Sequence, residues 1–124
     1  QQDLGLTYMF VTHDLSVVRH ISDDISVMYL GQMVETSPTR ELFRRPYHPY
    51  TKALLSAIPS TDIRRPMRRL QLRGDITSAI NPQPGCRFAP RCPYASAACA
   101  EAQQPLEIEP GRFVLCCRAK EINE

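Results

Sequence analysis

Cysteine is missing from the first two-thirds of the chain: none occurs before Cys86, so no disulfide framework or thiolate metal site lies there. Charge of one sign is also scarce. A formal net charge of +2 is too small to argue for nucleic acid, and the arginines form no aromatic-interleaved stripe. No apolar run approaches the ~20 residues that cross a bilayer. The opening QQDLGLTY has neither the basic start nor the apolar stretch of a signal peptide, so a reducing compartment is expected, where metal is favoured over disulfides. The chain does not begin with Met, and a fragment is expected. Only Gly5 and Gly31 precede Gly74, and there is no internal repeat or low-complexity tract.

What is present fits a globular chain. Its 124 residues are 43% hydrophobic and 23% charged, enough for one ordinary domain or for a half-domain plus a mini-domain. All eleven prolines follow residue 37, and they mark out three regions.

Residues 1–45 read as strand, helix and hairpin. Leu6-Thr7-Tyr8-Met9-Phe10-Val11 is a compact apolar run suited to a buried strand, ended by Thr12-His13-Asp14. A helix fits from Leu15 to Ile21, capped by Asp14 or Ser16. Ile25 to Leu30 and Met33 to Thr36 read as two strands joined by a tight turn at Gly31-Gln32. Ser37-Pro38 with Glu41 looks like the capped start of a helix carrying Leu42 and Phe43. In residues 46–82, Thr51 to Ile58 reads as a helix. A linker follows, whose centre, Arg69 to Gly74, alternates like a strand. Residues 83–124 hold every cysteine, with Cys86, Cys92, Cys99 and Cys116 spaced C-x5-C-x6-C-x16-C and Cys117 directly after. This end is expected to be stapled and to form a unit apart from the front.

The segment LTYMFVTHDLSVVRHISDDISVMYLGQMVETSPTRELF resembles the end of the nucleotide-binding domain of ABC transporters. With RRPYHPYTKALLSAIP and GDITSAINPQPGCRFAPRCPYA, the resemblance narrows to the ATP-binding subunits of bacterial oligopeptide, dipeptide and nickel importers. It covers essentially the whole chain. His-Asp after a strand is moderately specific; the His-Pro-Tyr-Thr-Lys-Ala-Leu-Leu stretch followed by the cysteine block is highly specific. The implied fold is α/β: the C-terminal fragment of an ABC nucleotide-binding domain, with few strands and short helices, followed by a small, loop-rich cysteine extension.

The resemblance makes His13 the switch histidine that senses the γ-phosphate, and Asp14 a contact to the opposing subunit's loop. Physical chemistry agrees for His13. A histidine at a strand's carboxyl edge sits where α/β sheets gather ligands, and its ring can donate to a terminal phosphate and hold a water. The plainer alternative is a His-Asp pair that only caps the next helix. No G-x-x-x-x-G-K-[ST] phosphate loop occurs, and the family's signature motif and catalytic glutamate are missing as well. The chain is therefore not expected to hydrolyse ATP alone; ATP and Mg belong to the full-length protein. His20 reads as a solvated helix-end group, and His48 as a structural anchor between Tyr47 and Pro49. The pairs Arg44-Arg45, Arg64-Arg65 and Arg68-Arg69 read as solvated faces.

Three accounts of the cysteines stand open. Related dipeptide-transporter subunits carry an iron–sulfur cluster on this spacing, which makes Cys86, Cys92, Cys99 and Cys116 ligands of a 4Fe-4S cluster; soft thiolates suit it. Reduced or adventitiously oxidised thiols come next. Zinc is last, because structural zinc prefers C-x2–4-C pairs. Arg87 and Arg91 are expected to favour thiolate, or else to pair with Glu107 and Glu109. Cys117 replaces Cys116 as ligand or is spare. The expected whole is a peripheral subunit on the cytoplasmic face of the inner membrane. Its partners are a second ATP-binding subunit and transmembrane permease subunits, with no nucleic acid. The competing class is a free-standing metal- or cluster-binding interaction module with no nucleotide role.

Overall fold

Alternation in Asp24-Ile25-Ser26-Val27-Met28-Tyr29 puts Ile25, Val27 and Tyr29 on one face, and in the computed structural model these three are buried while their neighbours are exposed. The structure describes residues 3–59, 64, 70–72, 74, 75, 78, 80–82 and 84–124. The elements are α1 (Leu15–Ile21), β1 (Asp24–Tyr29), β2 (Gln32–Pro38), α2 (Thr39–Arg44), α3 (Pro49–Ser56), β3 (Leu106–Glu109), β4 (Arg112–Val114) and α4 (Ala119–Ile122), with short 3-10 turns at Ala89–Arg91 and Ala97–Ala100. The sheet is antiparallel, in the order β1-β2-β4-β3.

The hairpin expected between the first strands is present, one residue earlier at its turn. Tyr29 pairs with Gln32, so Leu30 and Gly31 form the loop, at φ 46° and 80°. Two positive φ values define the turn whose twist matches the flanking strands; glycine adopts one at no steric cost and Leu30 bears the other.

β2 runs on through Ser37-Pro38, which corrects the capped helix start expected there. Ser37 is fully buried and its hydroxyl bonds the Pro38 carbonyl, so it caps nothing; α2 begins at Thr39, whose N–H donates to the Asp23 carbonyl. α3 likewise starts earlier than expected, because Pro49 fills the first helical position, where its missing N–H costs nothing. At α1 the reading held: Asp14 caps it, accepting from the N–H groups of Ser16 and Val17 at 3.0 and 3.3 Å.

Residues 6–11 depart from expectation. They carry no strand, and Leu6, Tyr8, Met9, Phe10 and Val11 are all exposed, Met9 and Val11 to 90% or more. A doubly apolar strand needs a sheet neighbour and cover on both faces, and among the described residues no strand pairs with it. The strand expected over 69–74 falls partly outside the described residues. Leu70, Gln71, Leu72 and Gly74 form none, though Leu72 packs on the core.

One sheet joins the front of the chain to its cysteine-rich end. β4 pairs Val114 with Glu35 and Phe113 with Thr36, and the Leu115 N–H donates to the Val34 carbonyl at 2.8 Å. Phe88 is central to the core with Ile25, Val27, Tyr29, Val34 and Leu42. Its ring meets Tyr29 edge-on at 5.2 Å and lies 5.4 Å from Tyr50. Each such aromatic pair adds about 1 kcal/mol beyond burial. A second cluster gathers Tyr47, Val114, Cys116 and Ala119. The expectation of an end apart from the front is thus corrected, because the strand that closes the sheet comes from residues 112–114.

Candidate functional site

The turn Tyr47-His48-Pro49 is held from beneath by a carboxylate. Glu35 is buried in β2 and accepts the N–H groups of Tyr47 and His48 at 3.0 and 2.9 Å. Arg112, also buried, approaches Glu35 at 3.7 Å, bonds Glu109 at 2.9 Å and the Arg45 carbonyl at 2.6 Å, and covers the Tyr47 ring at 4.5 Å. The Tyr47 hydroxyl donates to Glu109 at 2.6 Å. That bond, then the Arg112 guanidinium, hold the Glu109 carboxyl below its ordinary range.

His48 is the anchor that its neighbours suggested. Its Nδ1 accepts the Tyr50 N–H at 3.0 Å and so caps α3, which assigns the ring proton to Nε2. Burial pushes its pKa down to about 4, with the Leu115 carbonyl opposing. Nε2 nevertheless makes no hydrogen bond that satisfies it.

His48 lines a small cavity together with Cys86, Cys92, Cys99, Cys116 and Phe88. Local structure explains how distant cysteines share it. Gly85, at φ 89°, lets the chain pass so close to the Cys99 carbonyl that a Cβ would sit 2.4 Å from it, and the Cys86 N–H then donates to that carbonyl at 2.8 Å. Cys92 closes the first 3-10 turn, Cys99 sits in the second, and Cys116 leaves β4 towards α4. No disulfide links any of the five cysteines.

Burial is the main reason that the Cys116 thiol is pushed up to about 12 and that of Cys86 is raised, and the neighbouring sulfurs add to it. Of the two arginines expected to favour thiolate, Arg87 is engaged elsewhere. Arg87 bonds the Leu30 carbonyl across the hairpin turn, and of the two carboxylates expected to engage Arg87 or Arg91, Glu107 accepts the Gly111 N–H and Glu109 is taken by Arg112.

A soft donor set facing one cavity fits a thiolate-held group in its chemistry. The fit stops short in space. Among the described residues no three His, Cys, Asp or Glu converge closely enough to hold a metal ion, and the cavity, about 10 Å³, admits no more than a single water. A larger group enters only if the walls shift.

His13 and Asp14 lie away from this cavity. His13 is exposed just before α1, with no hydrogen-bond partner among the described residues, and Asp14 is occupied as the α1 cap. Sequence reasoning missed Glu35, Arg112 and Phe88. Glu35 sits among alternating strand residues where an inward carboxylate breaks the pattern; the signal was there, but its partner lies in a different region of the sequence.

Residues 34–99 match the family described as Oligopeptide/dipeptide transporter, C-terminal region. The chain belongs to that family. Over 119 residues it is 52% identical to the Bacillus subtilis protein YkfD, named for oligopeptide transport and ATP binding, and 50% identical to the dipeptide transport ATP-binding protein DppF of Haemophilus influenzae. It is 48% identical to the oligopeptide transport ATP-binding protein AppF of Bacillus subtilis. Each alignment covers 94% of this chain but 36% of the relative, so the chain spans little more than a third of the length of these proteins. Among the described residues no helix is long and apolar enough to cross a membrane.

Proposed function

We propose that this transporter-family chain serves as the C-terminal part of the ATP-hydrolysing subunit of a peptide-type ABC importer. The observation that carries this reading is the alignment of 119 residues with relatives named for peptide transport and ATP binding, on top of the family match. The whole protein would bind ATP and Mg, pair with a second ATP-binding subunit, and drive transmembrane permease subunits from the cytoplasmic face of the membrane. Residues 1–45 end the nucleotide-binding domain, 46–82 connect, and 83–124 form the extension.

In this reading His13 senses the γ-phosphate. Its support is an exposed imidazole that has no internal partner, beside an apolar segment, residues 6–11, whose side chains stand uncovered. Such a segment suits a strand completed by a parallel sheet in the longer protein. Asp14 contacts the opposing subunit with the carboxylate oxygen that its cap leaves over.

Cys86, Cys92, Cys99 and Cys116 are the residues that would hold a 4Fe-4S cluster; they line one cavity, whose walls would have to open to admit it. Bound there, such a cluster would staple the extension through its four thiolates. The deciding experiment is ATP hydrolysis by the full-length subunit reconstituted with its permease in vesicles, with and without peptide. Peptide-stimulated hydrolysis supports the reading. Binding of iron with no hydrolysis would instead favour a free-standing cluster module. Iron and acid-labile sulfide on anaerobically purified protein, lost in Cys92→Ser, test the cluster separately; zinc or no metal rejects it.

A further inference from the structure

Helices α1 and α2 wall a cleft of about 650 Å³ with a basic rim, far from the cysteines. Its floor is pinned by hydrogen bonds. Ser22, directly after α1, turns its hydroxyl back to the Val18 carbonyl at 2.5 Å and lies 3.3 Å from the Thr39 hydroxyl at the start of α2. The Thr39 N–H donates to the Asp23 carbonyl at 2.8 Å. The end of α1 is thereby held against the start of α2. Arg19 lines the cleft from the last turn of α1, while Arg40 and Arg44, four positions apart, line it from one face of α2.

These guanidinium groups are little compensated. Among the described residues the Arg40 side chain makes no hydrogen bond, ion pair or ring contact. Arg19 has only the Phe43 ring, 5.3 Å from its centroid, and a guanidinium lying over a ring keeps its in-plane N–H groups for an acceptor. Arg44 bonds Glu41 at 2.6 Å, but its side chain is 70% exposed, and such a surface pair yields readily to a stronger acceptor. Asp23 supplies the single carboxylate of the lining, and among the described residues it pairs with none of the three. The Ser22 and Thr39 hydroxyls are engaged with each other and with Val18, so the arginines are the donors that the cleft offers.

From this arrangement we infer that the cleft is an anion site whose ligand carries a phosphate group. Three guanidinium forks around one cleft call for more acceptor oxygens than the two of a lone carboxylate. A phosphate group meets two or three forks at once, in the short charge-assisted geometry that arginine favours. The volume lies within the range of about 300–1,000 Å³ usual for small-molecule sites. A free phosphate compound and the headgroup of an anionic lipid present the same chemistry. The γ-phosphate assigned to His13 is a different ligand, because His13 precedes the start of α1 and the cleft lies at its end, about 10 Å along the axis. The Arg44-Arg45 pair, read from sequence as a solvated face, divides. Arg44 lines the cleft, whereas Arg45 covers the Tyr47 ring and bonds the Asn123 carbonyl.

The test titrates the 124-residue chain with inorganic pyrophosphate by calorimetry at about 0.15 M salt, where exposed charges are screened. A parallel arm measures sedimentation with phosphatidylcholine vesicles, with and without phosphatidylglycerol. Saturable binding to a phosphate probe is expected. It should weaken about tenfold in Arg40→Gln and further in Arg19→Gln/Arg40→Gln. It should hold in Lys120→Gln, which removes the same charge from an exposed position outside the cleft. Arg40→Gln strips no contact within the described structure, so a folding defect does not imitate the loss. Binding of pyrophosphate assigns a free phosphate compound, and binding confined to phosphatidylglycerol vesicles assigns a lipid headgroup. Failure of both probes overturns the inference. An equal loss in Lys120→Gln does so too, because it marks general charge attraction. A glutamate-rich peptide that binds through Arg40 where neither phosphate probe does would replace the phosphate with an acidic protein segment.

Discussion

Arg112 on β4 stands 3.7 Å from Glu35 on β2, and both side chains are buried. Glu35 holds two backbone N–H groups of the Tyr47-His48 turn, so the pair links the last strand to the turn that opens α3. Removing one member strands the other. Arg112→Met should destabilise the chain by about 3 kcal/mol, because Glu35 keeps its charge in a buried site. Adding Glu35→Leu should not restore stability, since the amides of Tyr47 and His48 then lose their acceptor at about 1–3 kcal/mol. Urea midpoints of the two variants against the parent check both statements.

Stability should fall on mild acidification, and His48 sets the window. Burial lowers its folded pKa to about 4, whereas an unfolded histidine titrates near 6.5. Between these values the unfolded chain takes up a proton that the folded chain refuses, so stability is lost as pH drops through 6.5 and the loss levels off below 4. From pH 7.5 to pH 5 this amounts to about 2 kcal/mol. Urea unfolding across that range should show the slope in the parent and lose it in His48→Asn, which keeps an acceptor for the Tyr50 N–H.

Local elements were legible where one side-chain pattern decided them. The period-2 alternation of 24–29, the Asp14 cap and the proline at the head of α3 all lie within a few residues of what they determine. The limits were equally physical. The Ser37-Pro38 pair has the residues of a helix start, but its place beside β1 extends the strand, as a serine buried against a neighbouring strand outweighs its capping preference. Residues 6–11 have strand composition, yet a strand exists only with a neighbour. The four cysteines stood out by spacing, and they line one small cavity, though among the described residues no three ligating side chains converge there. That Phe88 belongs to the core between them, and that β4 completes the front's sheet, depends on contacts across some 50–80 positions that periodicity cannot report.

Gly85→Ala isolates what gathers the cysteines. The new Cβ would lie 2.4 Å from the Cys99 carbonyl oxygen and 2.6 Å from Ala100 backbone atoms, at a φ of 89° that alanine rarely adopts. Neither obstacle is a flexible side chain, so the backbone must yield and the Cys86–Cys99 hydrogen bond breaks. A loss of at least 2 kcal/mol is expected. Cys86 and Cys99 should also react faster with a thiol reagent under native conditions. By contrast, Gly111→Ala meets no atom within 4 Å and carries only the cost of its positive φ, about 1 kcal/mol. Equal thiol reactivity in the two variants would show that the Gly85 approach does not hold the cavity together.

Asp14 and His13 are neighbours with separable duties, and two substitutions divide them. Asp14 accepts two N–H groups at the start of α1, a helix of 7 residues with no fully buried side chain. Asp14→Ala should therefore weaken that helix by about 1 kcal/mol, while Asp14→Asn, an equally good cap, should not. His13 makes no bond within the described structure, so His13→Ala should leave the urea midpoint of this chain unchanged. In the full-length subunit the same change should lower ATP hydrolysis by about 10²–10³, the loss typical of removing one donor that stabilises developing charge. If hydrolysis persists in His13→Ala but fails in Asp14→Ala alone, the histidine is no phosphate sensor. The cap, through the helix it starts, would then be what the reaction needs.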